Sequence, residues 1–148
     1  MVQFAQPDAD ITDGNWLNEA ASNINMFQSI DEGSSAVNDA DYIESPLAPV
    51  NEACAFNLSN VSDPLSSGGH IMRWRRGKDT AGGAQVDLTV QLRQGYVSEG
   101  AQGTLINAFS DTNIPDAFTT TTDTLTGAEA DAITNYNDLQ YRFVANQV

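Results

Sequence analysis

HIMRWRRGKDTAGGAQVDLTVQLRQG, residues 70 to 95, contains two alternating runs separated by a glycine-bearing stretch. In the second run Val86, Leu88, Val90 and Leu92 share one side, and Asp87, Thr89, Gln91 and Arg93 share the other. A period of two residues is that of a strand with one buried and one wet face. The first run alternates likewise, with Met72 and Trp74 opposed to Ile71, Arg73 and Arg75. The intervening GKDTAGG, residues 77 to 83, reads as a turn, so the two runs are expected to form an antiparallel hairpin with Trp74 opposite Leu88 and Arg75 opposite Asp87. Such a cross-strand acid–base pair contributes a few tenths to about 1 kcal/mol.

The same period recurs elsewhere. ACAFNLS places Cys54, Phe56 and Leu58 on one face, and LQYRFVANQ places Leu139, Tyr141 and Phe143 inward with Gln140 and Arg142 outward. FTTTTDTLT is rich in β-branched Thr suited to a half-exposed strand. GTLINAFSD is a further strand candidate, and YIES, closed by Pro46 and Pro49, reads as a short edge strand. One short helix is expected near residues 127–134, where Thr126 and Glu129 form a capping box ahead of Ala130 and Ala132. NWLNEAASNINMFQSI is ambiguous: Trp16, Leu17, Ala20, Ile24 and Phe27 fit helical spacing, but its Asn and Ser favour irregular chain. Many short strands separated by Gly, Pro, Asn and Ser clusters indicate an all-β antiparallel sandwich or barrel. We expect an N-terminal arm over residues 1–15 and one domain over 16–148.

A 148-residue chain can bury about 70% of the surface it exposes when unfolded, and 41% of its residues are hydrophobic, so one folded core is expected. The formal net charge is -14. That charge repels phosphate backbones and anionic headgroups, and neither nucleic-acid nor membrane binding is expected. No signal peptide or apolar run of membrane-spanning length is read from the sequence. The lone Cys54 allows no internal disulfide and reads as a small buried hydrophobe.

Against this acidic background, four of the six basic residues lie between residues 70 and 79, after 72 residues without Lys or Arg. Arg73, Arg75, Arg76 and Lys78, with Arg93 from the neighbouring strand, are the candidate protein-interface residues. Two readings compete: a solvated face balanced by nearby acids, or a patch that docks on an acidic surface of another subunit.

No catalytic residue or cofactor emerges. His70 is the only imidazole, it borders a Gly-rich loop without a nucleophile elbow, and an ordinary hydrogen bond is its expected role. Phosphate-binding loops and dinucleotide fingerprints are absent. DADITDG at residues 8 to 14 superficially resembles a calcium loop, but Gly14 falls one position late and Asp13 occupies its place. An irregular calcium site from Asp31, Glu32, Asp39 and Asp41 competes with a solvated acidic loop, and we assign no metal. Trp16, Tyr42, Tyr96 and Tyr136 are the aromatics that could stack on a sugar, with packing at the edge of the fold as the alternative.

PDADITDGNW, the IDE of residues 30–32, DADYIESP, FNLSNVSDP, the 70–95 stretch and FTTTTDTLTGAEADAITNYNDLQYRF together resemble small proteins of tailed-bacteriophage structural gene clusters. The resemblance covers nearly the whole chain and rests on strand and turn patterns. It implies a jelly-roll-like capsid decoration or cement protein, a non-enzymatic virion component assembled in the host cytoplasm. Its implied partners are the major capsid protein or other virion proteins and further copies of itself, in a homo-oligomer such as a trimer. A tail- or fibre-associated receptor- or glycan-binding module is the alternative.

Overall fold

The computed structural model describes residues 2–33, 36–79 and 83–148. The described residues form nine strands: β1 (Pro7–Thr12), β2 (Leu17–Asn18), β3 (Ile43–Glu44), β4 (Glu52–Leu58), β5 (Ile71–Arg76), β6 (Val86–Gln94), β7 (Thr104–Asp111), β8 (Thr119–Thr124) and β9 (Leu139–Gln147). A 3-10 turn occupies Met26–Ser29, and one helix, α1, spans Gly127–Asp131. Five strands form an antiparallel sheet in the order β1-β4-β9-β6-β7, while β2 pairs with β3 and β5 with β8. The expected all-β, antiparallel class with one short helix is what the chain adopts.

Register explains the core. Cys54 lies opposite Phe143, Phe143 opposite Val90, and Val90 opposite Phe109. The next inward row runs Phe56, Tyr141, Leu92 and Asn107. Phe56, Val90 and Cys54 are fully buried, and Met72 and Trp74 of β5 belong to the same apolar cluster. Trp74 meets Phe109 edge-on with ring centroids 5.0 Å apart. Aromatic pairs of this geometry add about 1 kcal/mol to their area burial.

The 70–95 stretch is extended in both runs with the expected sides buried, but the runs do not pair with one another. Arg75 lies opposite Thr120 and Trp74 opposite Thr121 in the β5–β8 ribbon. Leu88 lies opposite Ala145 on one side and Asp111 on the other. The expected Arg75–Asp87 pair is therefore replaced by other partners. The chain leaves β5 toward the 113–118 loop: the Lys78 amide donates to the Pro115 carbonyl at 2.8 Å. Gly77 makes that exit possible, because a Cβ there would stand 3.0 Å from the Ala117 and Phe118 backbone. Of the expected turn, residues 80–82 lie outside the described residues.

Two outward-facing polar side chains are also buried, contrary to the alternation. Gln140 accepts the Tyr96 amide at 2.9 Å and donates to Asp138 at 2.8 Å. Arg93 donates to Gln91 at 2.7 Å and to the Gln102 carbonyl at 3.0 Å. Both are covered because the loop joining β6 to β7 folds back over this face. The ambiguous 15–30 segment is irregular apart from β2 and the 3-10 turn. The Asp10 carboxylate accepts the Met26 and Phe27 amides, so its charge organises that turn. Residues 7–12 of the expected arm form the edge strand β1, paired to β4 with two register shifts. The capping box of α1 is present, with the Thr126 hydroxyl accepting the Glu129 amide and Glu129 accepting the Thr126 amide.

Candidate functional site

The basic strand is stitched into the molecule by its own carboxylates. Arg75 grips Asp39 through two donors, one at 2.7 Å, and its guanidinium lies over the Phe118 ring, 5.9 Å from the centroid. The Arg75 hydrogen bonds hold the Asp39 carboxyl below its ordinary range. Arg76 pairs with Asp111 of β7 and donates to the Thr119 carbonyl at 2.9 Å. Lys78 donates to the Ala84 carbonyl at 3.0 Å and to Asn113 at 2.6 Å, and lies 3.7 Å from Asp116. These three cations thus bind the β5–β8 ribbon to the 36–42 loop, to β7 and to the 113–116 turn. Arg73 is exposed and forms no ion pair among the described residues.

Arg93 does not join this group. Leu92 points into the core, so Arg93, its neighbour, lies on the opposite face of the five-stranded sheet, beside Arg142. There Arg142 makes a bidentate contact with Glu99 at 2.8 and 2.6 Å, and the Tyr96 hydroxyl donates to the same carboxylate at 2.7 Å. The Arg142 hydrogen bonds hold Glu99 below its ordinary range. Burial drives the Tyr96 phenol and the Cys54 thiol upward.

The candidate sugar-stacking aromatics separate. Trp16 and Tyr96 are buried, Tyr42 packs on Phe118 with centroids 6.2 Å apart, and Tyr136 lines a surface groove. His70 Nε2 stands 2.7 Å from the Tyr136 hydroxyl, and its Nδ1 is buried with no hydrogen-bond partner among the described residues. Its partner is a phenol, not a serine. Of the acidic quartet weighed for calcium, Asp39 is engaged by Arg75 and Asp41 accepts Asn38 at 2.8 Å. Burial raises Glu32 toward its neutral form. Among the described residues no cluster of three or more His, Cys, Asp or Glu could hold a metal ion, and no helix is long and apolar enough to cross a membrane.

A further surface escaped the periodicity argument. The 45–51 loop exposes Leu47 at 94% and Val50 at 74%, while Pro49 between them is buried. Ala48 and Asn51 adopt left-handed φ values of 52°, a conformation that costs an alanine about 1 kcal/mol. The Gln147 amide donates to the Pro49 carbonyl at 2.7 Å and the Asn51 amide to Asn146 at 3.2 Å. The two prolines and two exposed apolar side chains in SPLAPV were the available signal. No protein-family model, no curated protein and no solved structure matches the chain.

Proposed function

We propose that this chain is a structural subunit of a tailed-bacteriophage virion: a jelly-roll-like decoration or cement protein that binds the head and stabilises it through protein–protein contacts. The observation that carries the reading is the exposed apolar tip at Leu47 and Val50. A loop held by proline, left-handed backbone and two long-range hydrogen bonds to its main chain has already given up backbone freedom that binding would otherwise remove, and it carries two large exposed apolar side chains. Glu44 and Glu52 flank the tip, so its complement is an apolar pocket rimmed by Lys or Arg on the capsid protein. Arg73, exposed and without an ion pair among the described residues, is the cation of the basic strand left for an acidic neighbour in a homo-oligomer; Arg75, Arg76 and Lys78 are committed within the chain. Occupancy of many lattice sites would stabilise the shell by mass action without a chemical step.

The test is add-back to virions stripped of this chain. Leu47→Asp combined with Val50→Asp should cut recovery on the particle at least tenfold while leaving the circular dichroism spectrum unchanged, since two apolar anchors typically contribute more than about 1.4 kcal/mol. Full recovery by the folded double variant would defeat the docking role of the tip. Failure of the parent protein to bind any head or tail surface would defeat the virion assignment itself. Arg73→Glu serves as the separate probe of self-association, read by sedimentation.

A further inference from the structure

We infer that the groove around Tyr136 is a binding site for a neutral oligosaccharide, a role additional to docking through the 45–51 tip. Two adjoining hollows of about 400 and 330 Å³ share Asp63 and Tyr136, which joins them into one groove. Its walls offer the side chains that bind sugar hydroxyls: amides at Asn60, Asn135 and Asn137, carboxylates at Asp63 and Asp131, and the phenol ring. None of the described lining residues is Lys, Arg or His, and two are carboxylates, so phosphates, uronates and other anions are disfavoured. A purely cationic ligand would leave the amide donors unused, and Asp63 Oδ1 is turned back onto the Leu65 amide at 2.7 Å. Paired donors and acceptors beside one aromatic ring match a chain of vicinal hydroxyls, and an open groove lets such a chain run through.

The site is preorganised. Gln94 Oε1 accepts the amides of both Thr134 and Asn135 at 2.8 Å, fixing the turn that carries Tyr136. The far wall is clipped to the N-terminal segment by a reciprocal pair, Gln3 Nε2 to the Ser62 carbonyl at 3.0 Å and the Ser62 amide to Gln3 Oε1 at 2.8 Å. His70 holds the Tyr136 hydroxyl through a 2.7 Å hydrogen bond, with the two rings tilted by 35° and their centroids 5.7 Å apart. Tyr136 is partly buried against the core, and its hydroxyl anchor keeps the part that lines the groove in place without reorganisation on binding.

The experiment is a neutral-glycan array followed by NMR titration of the ¹⁵N-labelled full chain with cellohexaose, maltohexaose, chitohexaose and any array hit. At least one neutral glycan should bind, with amide shifts confined to residues 60–67 and 130–137. Tyr136→Ala should weaken that binding about tenfold, and Asp131→Ala, a change at an exposed residue, should weaken it severalfold while preserving the folded spectrum. The inference is overturned if no neutral glycan on the array binds, if both variants bind like the parent, or if spermine shifts these amides and glycans do not. Loss of virion add-back would leave these outcomes unchanged, so the two roles fail separately.

Discussion

Glu99 shows how one side chain acts beyond its strand alternation. It accepts from Arg142, Tyr96 and Gln102, and it fastens the 95–103 loop over the outer face of the sheet. Its folded-state pKa lies below the ordinary 4.5 because Arg142 hydrogen-bonds the ionised form. The contribution is therefore complete above the unfolded value and is lost as pH falls through the lowered folded value. With 44% of the Glu99 side chain exposed, solvent screening limits the contribution to about 1 kcal/mol. Glu99→Gln should lower the urea midpoint at neutral pH and match the parent in strong acid, where both lack the charge. An equal deficit at both pH values would show that packing, not ionisation, holds the loop. Nothing in the sequence near Glu99 announces this pair, since Arg142 is 43 residues away and period-two alternation carries no information about a loop crossing a face. For the same reason Arg93 and Gln140 read as outward yet are buried.

Among the elements, strands were legible and their neighbours were not. Alternation placed Met72, Trp74, Leu88, Val90 and Leu92 on buried sides, because inward and outward are properties of each strand alone. Pairing is not such a property: two alternating runs fit any partner of matching face. Proximity in sequence favoured a β5–β6 hairpin, whereas β5 pairs along its whole length with β8 and leaves at Gly77 against Ala117 and Phe118, which lead into β8. The capping box of α1 was readable because its determinants lie three residues apart, within one local turn. The observed pairing is directly testable. Arg73 and Thr122 are opposite one another on β5 and β8, and both are exposed. Arg73→Cys with Thr122→Cys should oxidise to a disulfide, leave only buried Cys54 as a free thiol, and stabilise the fold by about 2 to 4 kcal/mol. The pair Arg73→Cys with Thr89→Cys, adjacent in the hairpin register, should remain reduced; if it oxidises and the first pair does not, the β5–β8 ribbon is wrong.

The whole molecule sets local attraction against global repulsion. Six cations face twenty acids, and the first 72 residues hold eleven of those acids without a single Lys or Arg. Four cations make ion pairs among the described residues, with Arg76 and Arg142 reaching their carboxylates from largely buried positions. Salt acts unequally on these terms. Dissolved ions screen charges separated by more than about 10 Å at 0.1 M ionic strength, but they weaken short, part-buried pairs much less. Acids dispersed over the surface repel mainly at the longer range, and a chain with net charge -14 is destabilised by that self-repulsion when compact. Raising sodium chloride from a few millimolar to physiological strength should therefore stabilise the protein by about 1 kcal/mol, or about 3 °C in Tm. Calorimetry at fixed neutral pH measures the shift. A fall in Tm would mean that attraction through the basic strand outweighs the repulsion. The same measurement on Arg75→Met then separates the two contributions: removing the Asp39 partner leaves the long-range repulsion in place, so the salt-induced rise should become larger, not smaller.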